Sequence, residues 1–487
     1  MDAVLFPVPP GFIGLALMNV DAVGLAAARA VADPGRNRRG LAFFAVCLGN
    51  FIVFIDTSIV NLALPHIHTS LHGSLAGLVW VANGYTLAMA ALILNGGAIG
   101  DRLGNDRAYW LGALGFAATS LGCGLAPSLP ALIALRACQG MCGALLLPAL
   151  LGLIPHLYPD KVERARAITI WASTGAVALA TGPLLAGVLI DGVGWRAIFY
   201  INVPVCVAAA LIVRWTLKDV PRHRSPAGPG LTGQVLAAAG LAAFSFAIVD
   251  GPSFGWDSPV IAASVAVALV AAVAFVMVER RSANPLLPPR LLANRAFTAA
   301  VTGGVLFQFV FFGALFIFPL YLQGVLHATA LAAGLELLPL TCCTALSPTL
   351  ITSRIVARYG FARSVLAGSL AGVPGCLLIA FAHASSPYWL LGIGMGLIGI
   401  WSGLTLPPTV SLAVTNTPPE LSGTGSGVLN AGRQIGAVLG VSVLGTIVGA
   451  SSLASGLRFG MLAFVAGMTG IAVLFTRGAR DRTPPRD

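Results

Sequence analysis

The stretch GAIGDRLGNDR, residues 97–107, joins two long apolar segments and decides how the rest of the chain is organised. A related stretch, RYGFAR, occupies residues 358–363. Three residues recur at the same spacing of 256 positions: Arg102 as Arg358, Gly104 as Gly360 and Arg107 as Arg363. A constant offset at three positions indicates an internal repeat, with two related halves in one chain.

Charged residues are scarce throughout the chain. Of 487 residues, 57% are hydrophobic and only 9% are charged, whereas soluble domains carry about 25% charged residues. A water-soluble protein of this size could not cover its surface with so little charge, and disordered chains are poor in apolar residues. The composition therefore predicts an all-α polytopic membrane protein, because unpaired backbone amides are too costly in lipid for other open structures.

Fourteen apolar segments are long enough to cross a membrane, since a spanning helix needs about 20 residues. Each is bounded by charged residues or by clusters of Pro, Gly and Ser. They cover residues 41–64, 77–99, 107–126, 130–153, 167–190, 197–217, 232–250, 258–279, 297–322, 330–353, 363–382, 388–412, 424–449 and 457–476.

The basic residues indicate the orientation of these spans. If both termini are cytoplasmic, 24 of the 28 Lys and Arg residues fall on the inner side, as the positive-inside rule requires. Only Arg196 and Arg458 remain at outer ends. The net charge of +11 is therefore a consequence of topology. The basic residues are scattered between apolar segments rather than clustered, which argues against nucleic-acid binding. We expect a multi-pass protein of the cell membrane.

Residues 97–107 resemble the G-x-x-x-D-R-x-G-R-[KR] loop of the major facilitator superfamily. Asn105 and Asp106 stand where that family usually has two basic residues. Further stretches narrow the resemblance to the fourteen-span drug:proton antiporters of the EmrB/QacA type, over about residues 41–450. They are DTSIVNLALP (56–65), RACQG (136–140), Gly175 with Gly182 and Pro183, GWRAIFYINVP (194–204), and GTGSG (423–427) with RQIG (433–436).

The resemblance implies a major facilitator fold of 14 transmembrane helices, in two six-helix halves with two inserted helices. The corresponding segments are a cytoplasmic tail (1–40), the first half (41–217), the inserted pair with its linkers (218–296), the second half (297–476) and a second tail (477–487).

The implied function is proton-driven export of hydrophobic small molecules, such as drugs or antibiotics, by alternating access. The alternative is an ion-coupled or uniport exporter of an endogenous metabolite. No ATP-binding loop is present in the sequence, so an ion gradient is the expected energy source. We expect no enzymatic activity, cofactor or metal site, and a monomer whose partners are its substrate, protons and membrane lipid.

Four charged residues lie deep within predicted spans: Asp56, Arg136, Glu336 and Arg433. Such charges cost at least about 2.5–3.5 kcal/mol each and are usually functional. The resemblance points to Asp56 as the proton-coupling acid, with Arg136 beside it. The alternative is a static pair that only holds two helices together. Glu336 has either a coupling role or a place near water at the outer mouth, and Arg433 with Gln434 is expected to bond neighbouring helices.

The remaining candidate residues fall into three groups. Gly97, Asp101, Arg102, Gly104 and Arg107 form a predicted cytoplasmic gate, although positive-inside anchoring alone would explain the arginines. Gly175, Gly182 and Pro183 match the antiporter element of the family, and glycines seven residues apart predict a tightly packed helix seam. Candidates for the substrate cavity are Asn61, Gln139, Gln308 and Phe312. The many phenylalanines of span 9 surround the helix, so we expect some of them to face lipid.

Overall fold

A computed structural model describes residues 34–217, 231–282, 289–383, 385–418 and 421–478, and these segments are almost entirely helical. Most of both predicted tails, and parts of the linkers around the inserted pair, lie outside the described residues. The helices are α1 (Pro34–Leu71), α2 (Leu75–Leu103), α3 (Asn105–Leu125), α4 (Leu129–Leu157), α5 (Lys161–Gly192), α6 (Ala197–Tyr200), α7 (Asn202–Thr216), α8 (Leu231–Phe254), α9 (Pro259–Arg281), α10 (Pro289–Leu292), α11 (Arg295–Gly324), α12 (Ala330–Glu336), α13 (Leu338–Ser347), α14 (Ser353–Ala380), α15 (Tyr388–Thr415), α16 (Ser422–Gly449) and α17 (Leu453–Gly478).

Thirteen helical segments of the described residues are long and apolar enough to cross a membrane. The difference from the expected fourteen arises at residues 330–380, where two predicted spans lie in one helical segment of 51 residues. A π-helical turn, Pro348–Thr352, connects α13 to α14 without a break. At about 1.5 Å per residue this segment is more than twice as long as the roughly 30 Å hydrocarbon core is thick.

Gly360 interrupts the helical backbone within α14. Its φ of 83° and ψ of 175° resemble those of Gly104, at 95° and 136°, where α2 ends and α3 begins. A side chain would strain the backbone at both positions. The two glycines are 256 residues apart, so the sequence repeat has a counterpart in backbone conformation.

Helix α11 lies at the centre of the bundle, and α8 and α9 lie at its edge. The most apolar window of α11 is 78% buried, compared with 28% for α8 and 17% for α9. α9 packs mainly on α8, which in turn packs on α2 and α16. α11 is surrounded by α1, α15, α16 and α17. Because Phe309 and Phe312 are only half-buried, the expectation that some phenylalanines of span 9 face lipid stays a prediction. Four of its rings are buried almost completely: Phe307, Phe311, Phe316 and Phe318.

Helices α1–α7 and α11–α17 meet at one end of the bundle, which we call the closed end. Here both carboxylate oxygens of Asp191 on α5 accept hydrogen bonds from the first amides of α12, Ala330 N at 3.3 Å and Leu331 N at 2.9 Å. Gln323 Nε2 at the end of α11 donates to Leu62 O of α1 at 3.0 Å. The start of α12 is thus capped by a side chain from the other set of helices.

Backbones approach closely at the closed end because glycines lie at the contacts. A Cβ atom at Gly334 of α12 would lie 2.5 Å from Pro183 O, and one at Gly187 of α5 would lie 2.6 Å from Leu331 Cα. On the other side of the bundle, Asn83 Nδ2 of α2 donates to Ser442 Oγ of α16 at 2.8 Å. The two sets of helices are therefore joined by both glycine packing and hydrogen bonds.

The closed-end seam makes a testable prediction for Gly334. Gly334→Ala should destabilise the protein by about 1–3 kcal/mol, because the new methyl group meets backbone that cannot rotate away. Gly192→Ala is the matched control, since no atom of the described residues lies within 4 Å of a Cβ at that position near the end of α5. Thermal unfolding of the purified protein in detergent measures both variants. Equal stability of the two variants would contradict this packing.

Candidate substrate and proton site

An ion pair between α1 and α4 is completely buried. Arg136 Nη1 donates to Asp56 Oδ2 at 2.6 Å, and the two residues are 1% and 0% exposed. Asp56 is the deep acid of span 1 that the sequence singled out, and the structure brings it directly to Arg136. A buried pair survives only with good geometry and further hydrogen bonds, because both ions lose their hydration.

Neutral side chains complete the surroundings of the Asp56 carboxylate. Its Oδ1 atom accepts from Gln139 Nε2 of α4 and from Asn202 Nδ2 of α7, both at 3.0 Å. Asn202 Nδ2 also donates to Ser120 Oγ of α3, which in turn donates to Phe199 O. The network thus connects α1, α3, α4 and α7, and every group that bonds Asp56 is a donor, which suits a carboxylate.

Arg136 makes further contacts that hold its guanidinium in place. Nη1 also donates to Gln139 Oε1 at 2.6 Å, and Nε donates to Val81 O of α2 at 3.3 Å. The guanidinium lies over the ring of Tyr85, 4.5 Å from its centroid. Cation–π contact of this kind is stronger in a desolvated site. Arg136 is therefore bonded to two helices besides its own.

A small cavity adjoins this network where the two sets of helices meet. Its volume is about 10 Å³, at the lower limit for one water molecule. Helices α1, α2 and α4 line it from one set, and α11 and α16 from the other. Its lining residues are Thr57, Val60, Asn61, Ala82, Tyr85, Thr86, Arg136, Phe312 and Val441. In this conformation the centre of the protein is nearly filled by side chains.

The structure brings some of the cavity candidates together and separates others. Asn61 and Phe312 line the cavity from opposite sets of helices. Gln139 is fully buried within the ion-pair network instead. Gln308 is buried on α11, one helical turn before Phe312. The roles assigned to these four residues stay predictions.

Glu336 and Arg433 lie apart from the Asp56 network. Glu336 ends α12; its backbone carbonyl accepts from Tyr388 Oη at 2.8 Å, and its Oε2 atom is buried without a hydrogen bond to any described residue. Arg433 Nη1 donates to Asn430 Oδ1 at 3.3 Å within α16, and the half-buried Gln434 follows it. Arg433 Cγ packs beside Gly304 of α11, and the hydrogen bonds to neighbouring helices expected for Arg433 and Gln434 stay a prediction.

The predicted gate loop forms a tight corner between α2 and α3. Gly104 is the single residue between the end of α2 and the start of α3. Arg102 and Arg107 on either side of it are exposed. The side chain of Asp101 lies outside the described part of the structure. A Cβ at Gly97 would lie 3.7 Å from Pro148 Cβ of α4, an ordinary contact.

One departure from the family pattern has a structural explanation. The side chain of Asn105 lies between two glycines of different helices: a Cβ at Gly100 would be 2.6 Å from its Oδ1, and one at Gly152 of α4 would be 2.3 Å from its Nδ2. A longer basic side chain would not fit this space without movement of α4.

The glycines of the antiporter element lie where α5 crosses α1. A Cβ at Gly175 would be 3.1 Å from Asn50 Nδ2, and one at Gly182 would be 1.8 Å from Ser58 Oγ. Asn50 Nδ2 donates to Trp171 O of α5 at 2.8 Å. Because Pro183 O contacts Gly334 of α12, α5 is packed between α1 and α12 at this level.

Sequence reasoning assigned no role to Asn202, Ser120 or Tyr85. Asn202 belongs to the stretch GWRAIFYINVP, which supported the resemblance without indicating a contact to Asp56. The sequence feature that could have indicated this role is an amide at the start of an apolar span, where a polar residue usually has a partner or a function. Asp191, which bonds α12, gave no signal because a carboxylate at a helix end is ordinarily solvated.

Helices long and apolar enough to cross a membrane thus surround a buried ion pair and a small cavity, and intramembrane charges of this kind are typical of membrane transport proteins. The sequence profile of the Major Facilitator Superfamily matches residues 46–441. The chain belongs to this superfamily and is a transporter, not an enzyme.

Similar proteins include several that are named for drug resistance. A methylenomycin A resistance protein of Streptomyces coelicolor is 33% identical over 414 residues, covering 85% of this chain and 86% of that protein. The Multidrug resistance protein Stp of Mycobacterium tuberculosis is 35% identical over 413 residues, covering 84% and 76%. A tetracenomycin C resistance and export protein of Streptomyces glaucescens is 33% identical, covering 85% and 76%.

Solved transporter structures share the fold. The peptide transporter POT, in complex with sulfate, superposes with a TM-score of 0.67 at 14% identity, covering 90% of this chain and 94% of that chain. A bacterial homolog of the human lysosomal transporter Spinster superposes with a TM-score of 0.65 at 19% identity, covering 93% and 100%. At such low identity these similarities concern the fold alone.

Because the ion pair is buried, the effects of substituting Asp56 and Arg136 on the free energy of unfolding should depend strongly on each other. Arg136→Met should lower the free energy of unfolding by about 3–5 kcal/mol, because it leaves Asp56 as a buried charge without a cation. Adding Asp56→Asn should recover part of this loss, since an amide needs no counter-charge. Thermal unfolding of the single and double variants in detergent measures the coupling. Additive losses would show that the two side chains do not depend on each other.

Proposed function

We propose that the protein is a proton-coupled exporter of hydrophobic small molecules, drugs or antibiotics among them, that works by alternating access. The single observation that carries this proposal is the Asp56–Arg136 pair, a titratable carboxylate buried among donors beside the junction of the two helix sets. The names of the similar proteins, which refer to drug and antibiotic resistance, support export of this substrate class.

The proposed topology is that of the fourteen-span EmrB/QacA type. In it, residues 330–380 cross the membrane twice, with Gly360 at the turn, and α8 and α9 are the inserted pair between two six-helix halves. Both termini are then cytoplasmic, as the distribution of basic residues favours. In this topology the closed end, with Asp191 and Leu331, faces the outside.

The ion pair supplies a means of exchanging a proton for a substrate. In the proposed cycle, Asp56 releases its proton when the centre is open to the cytoplasm, and Arg136 then neutralises the carboxylate. A substrate that enters the centre displaces Arg136 from the carboxylate, and the protein then opens outward. Asp56 takes up an external proton as the substrate leaves. Because the protonated acid no longer attracts Arg136, the protein can return without substrate.

The substrate is expected to contact Asn61 and Phe312 when the centre opens. Phe312 offers an aromatic surface and Asn61 a hydrogen-bonding amide, and few polar groups in a mostly apolar pocket are typical of small-molecule sites. Since α1 carries both Asn61 and Asp56, a substrate at Asn61 is about one and a half helical turns from the proposed proton site.

Asp56→Asn should abolish proton-driven efflux while leaving the protein in the membrane, because the amide is similar in size to the carboxylate but cannot exchange a proton. The measurement is uptake of ethidium, Hoechst 33342 and puromycin into inverted vesicles with an imposed pH gradient. Asp257→Asn, a change of the same kind at an exposed carboxylate between α8 and α9, should transport as the wild type does. Undiminished transport by Asp56→Asn would contradict the proposed role of this acid.

The coupling ion is tested in the same vesicles by collapsing the pH gradient and then imposing a sodium gradient. We expect transport to stop with the first change and not to resume with the second. Transport that ignores the pH gradient would instead favour a sodium-coupled carrier or a uniporter.

Phe312→Ala should change substrate preference rather than coupling, because the ring lines the cavity but does not contact Asp56. Loss of an aromatic contact is expected to raise KM for flat aromatic substrates about fivefold to tenfold, from about 1 kcal/mol of lost contact. Phe381→Ala, at an exposed ring after α14, is the control. An equal effect of both substitutions would place the substrate elsewhere.

A further inference from the structure

A second cavity lies at the edge of the bundle, between α2, α4 and the peripheral helix α8. Its volume is about 450 Å³, within the range of sites for small organic ligands. We call it the lateral groove. Its lining residues are Trp80, Gly84, Leu87, Ala88, Ala91, Leu92 and Asn95 of α2, Ile133 and Ala137 of α4, and Gln234, Val235, Ala238, Ala239 and Ala242 of α8.

The lateral groove is separate from the central cavity. On α2, Ala82, Tyr85 and Thr86 line the central cavity, whereas the groove is lined by a stripe that includes Ala88 and Ala91. At 100° per residue these two sets lie on nearly opposite faces of the helix. Helix α2 therefore stands between the two spaces, and a ligand in the groove does not touch the Asp56 network.

Small side chains create the groove. Along α8 the lining consists mainly of alanines, whose short side chains leave the space between α8 and α2 unfilled. At one end α2 and α8 are joined, because Trp80 Nε1 donates to Asp250 Oδ2 at 2.8 Å. From Trp80 to Asn95 the groove follows α2 for about 22 Å, most of the thickness of a hydrocarbon core.

Two polar atoms in this apolar space lack partners among the described residues. Asn95 and Gln234 are each 5% exposed, and Asn95 Oδ1 and Gln234 Oε1 are buried without a hydrogen bond. Leaving a buried acceptor unpaired is unfavourable, so native proteins usually provide it with a partner. Both residues lie toward the end of the groove that is remote from the Trp80–Asp250 contact.

We propose that the lateral groove is a second binding site, open to the membrane layer, for a hydrophobic small molecule that carries an N–H or O–H donor. The donor bonds to the amide oxygen of Asn95 or to that of Gln234, and the apolar part lies along the alanines of α2 and α8. A phospholipid acyl chain would fill the same apolar space but would leave both acceptors unpaired, so the geometry favours the donor-bearing molecule.

Photolabelling of the purified full-length protein in lipid nanodiscs tests this proposal. The probe is 3-azioctanol, an alcohol with a photoreactive diazirine, and labelled residues are identified by mass spectrometry. We expect adducts on the groove-lining stretches of α2 and α8. We also expect 1-decanol to compete about tenfold better than decyl methyl ether, which has the same apolar chain but no donor.

Variants separate the apolar and polar parts of the site. Ala238→Leu fills the groove and should reduce labelling at least about fivefold, whereas Ala237→Leu, at the adjacent, exposed position outside the lining, should not. Combined Asn95→Leu and Gln234→Leu should remove the preference for decanol over the ether. Ala237→Leu is the control for the added side chain. Each variant must also keep the thermal midpoint of the wild type, so that reduced labelling reports loss of the site and not misfolding.

Two outcomes would overturn the proposal. Equal competition by decanol and the ether would identify the occupant as a lipid chain, and labelling unaffected by Ala238→Leu would show that no site exists in the groove. Photolabelling does not require transport, so either failure leaves the proposal of proton-coupled export unaffected.

Discussion

The burial of one ion pair constrains the whole first set of helices. Asp56 and Arg136 are almost completely buried, and their attraction offsets the lost hydration only if further hydrogen bonds satisfy the two charged groups. Gln139, Asn202 and Val81 O provide those bonds from α4, α7 and α2. The relative positions of these helices are therefore fixed to within hydrogen-bond distance, which is far stricter than apolar packing in lipid would require.

Close backbone contact is the complementary constraint between the two sets. No hydrophobic effect drives helices together inside a membrane, so packing and hydrogen bonds must do so. Glycines at the α5–α12 contact allow the backbone of Pro183 to touch Gly334, and Asp191 caps α12 from across the junction. Such a contact is either made completely or lost, which suits a protein with two discrete conformations.

The class of fold could be predicted from the sequence because the features that indicate it are local. Long apolar runs, the 256-residue repeat and the placement of arginines need no knowledge of tertiary contacts. The number of helical segments differed because helical residues lie on both sides of Gly360, whose backbone interrupts the helix between the two predicted spans of residues 330–380. The burial of Phe307, Phe311, Phe316 and Phe318 could not be predicted, because composition does not reveal that α11 is central.

The candidate site was predictable only in part for the same reason. Asp56 and Arg136 stood out because charge is rare in spans. Asn202, Ser120 and Tyr85 are common residue types whose importance depends on three-dimensional proximity to that pair. The lateral groove could not be predicted at all, since it arises from the spacing between α2 and α8, and alanine-rich helices usually pack without a gap.

The central claim is that substrate and proton compete through the Asp56–Arg136 pair. The most direct measurement is proton release when ethidium is added to the purified protein in weakly buffered detergent solution, followed with a pH-sensitive dye. If substrate and proton compete for this pair, ethidium should release protons from the wild type and none from Asp56→Asn. Equal release from both proteins, while both bind ethidium, would contradict the account.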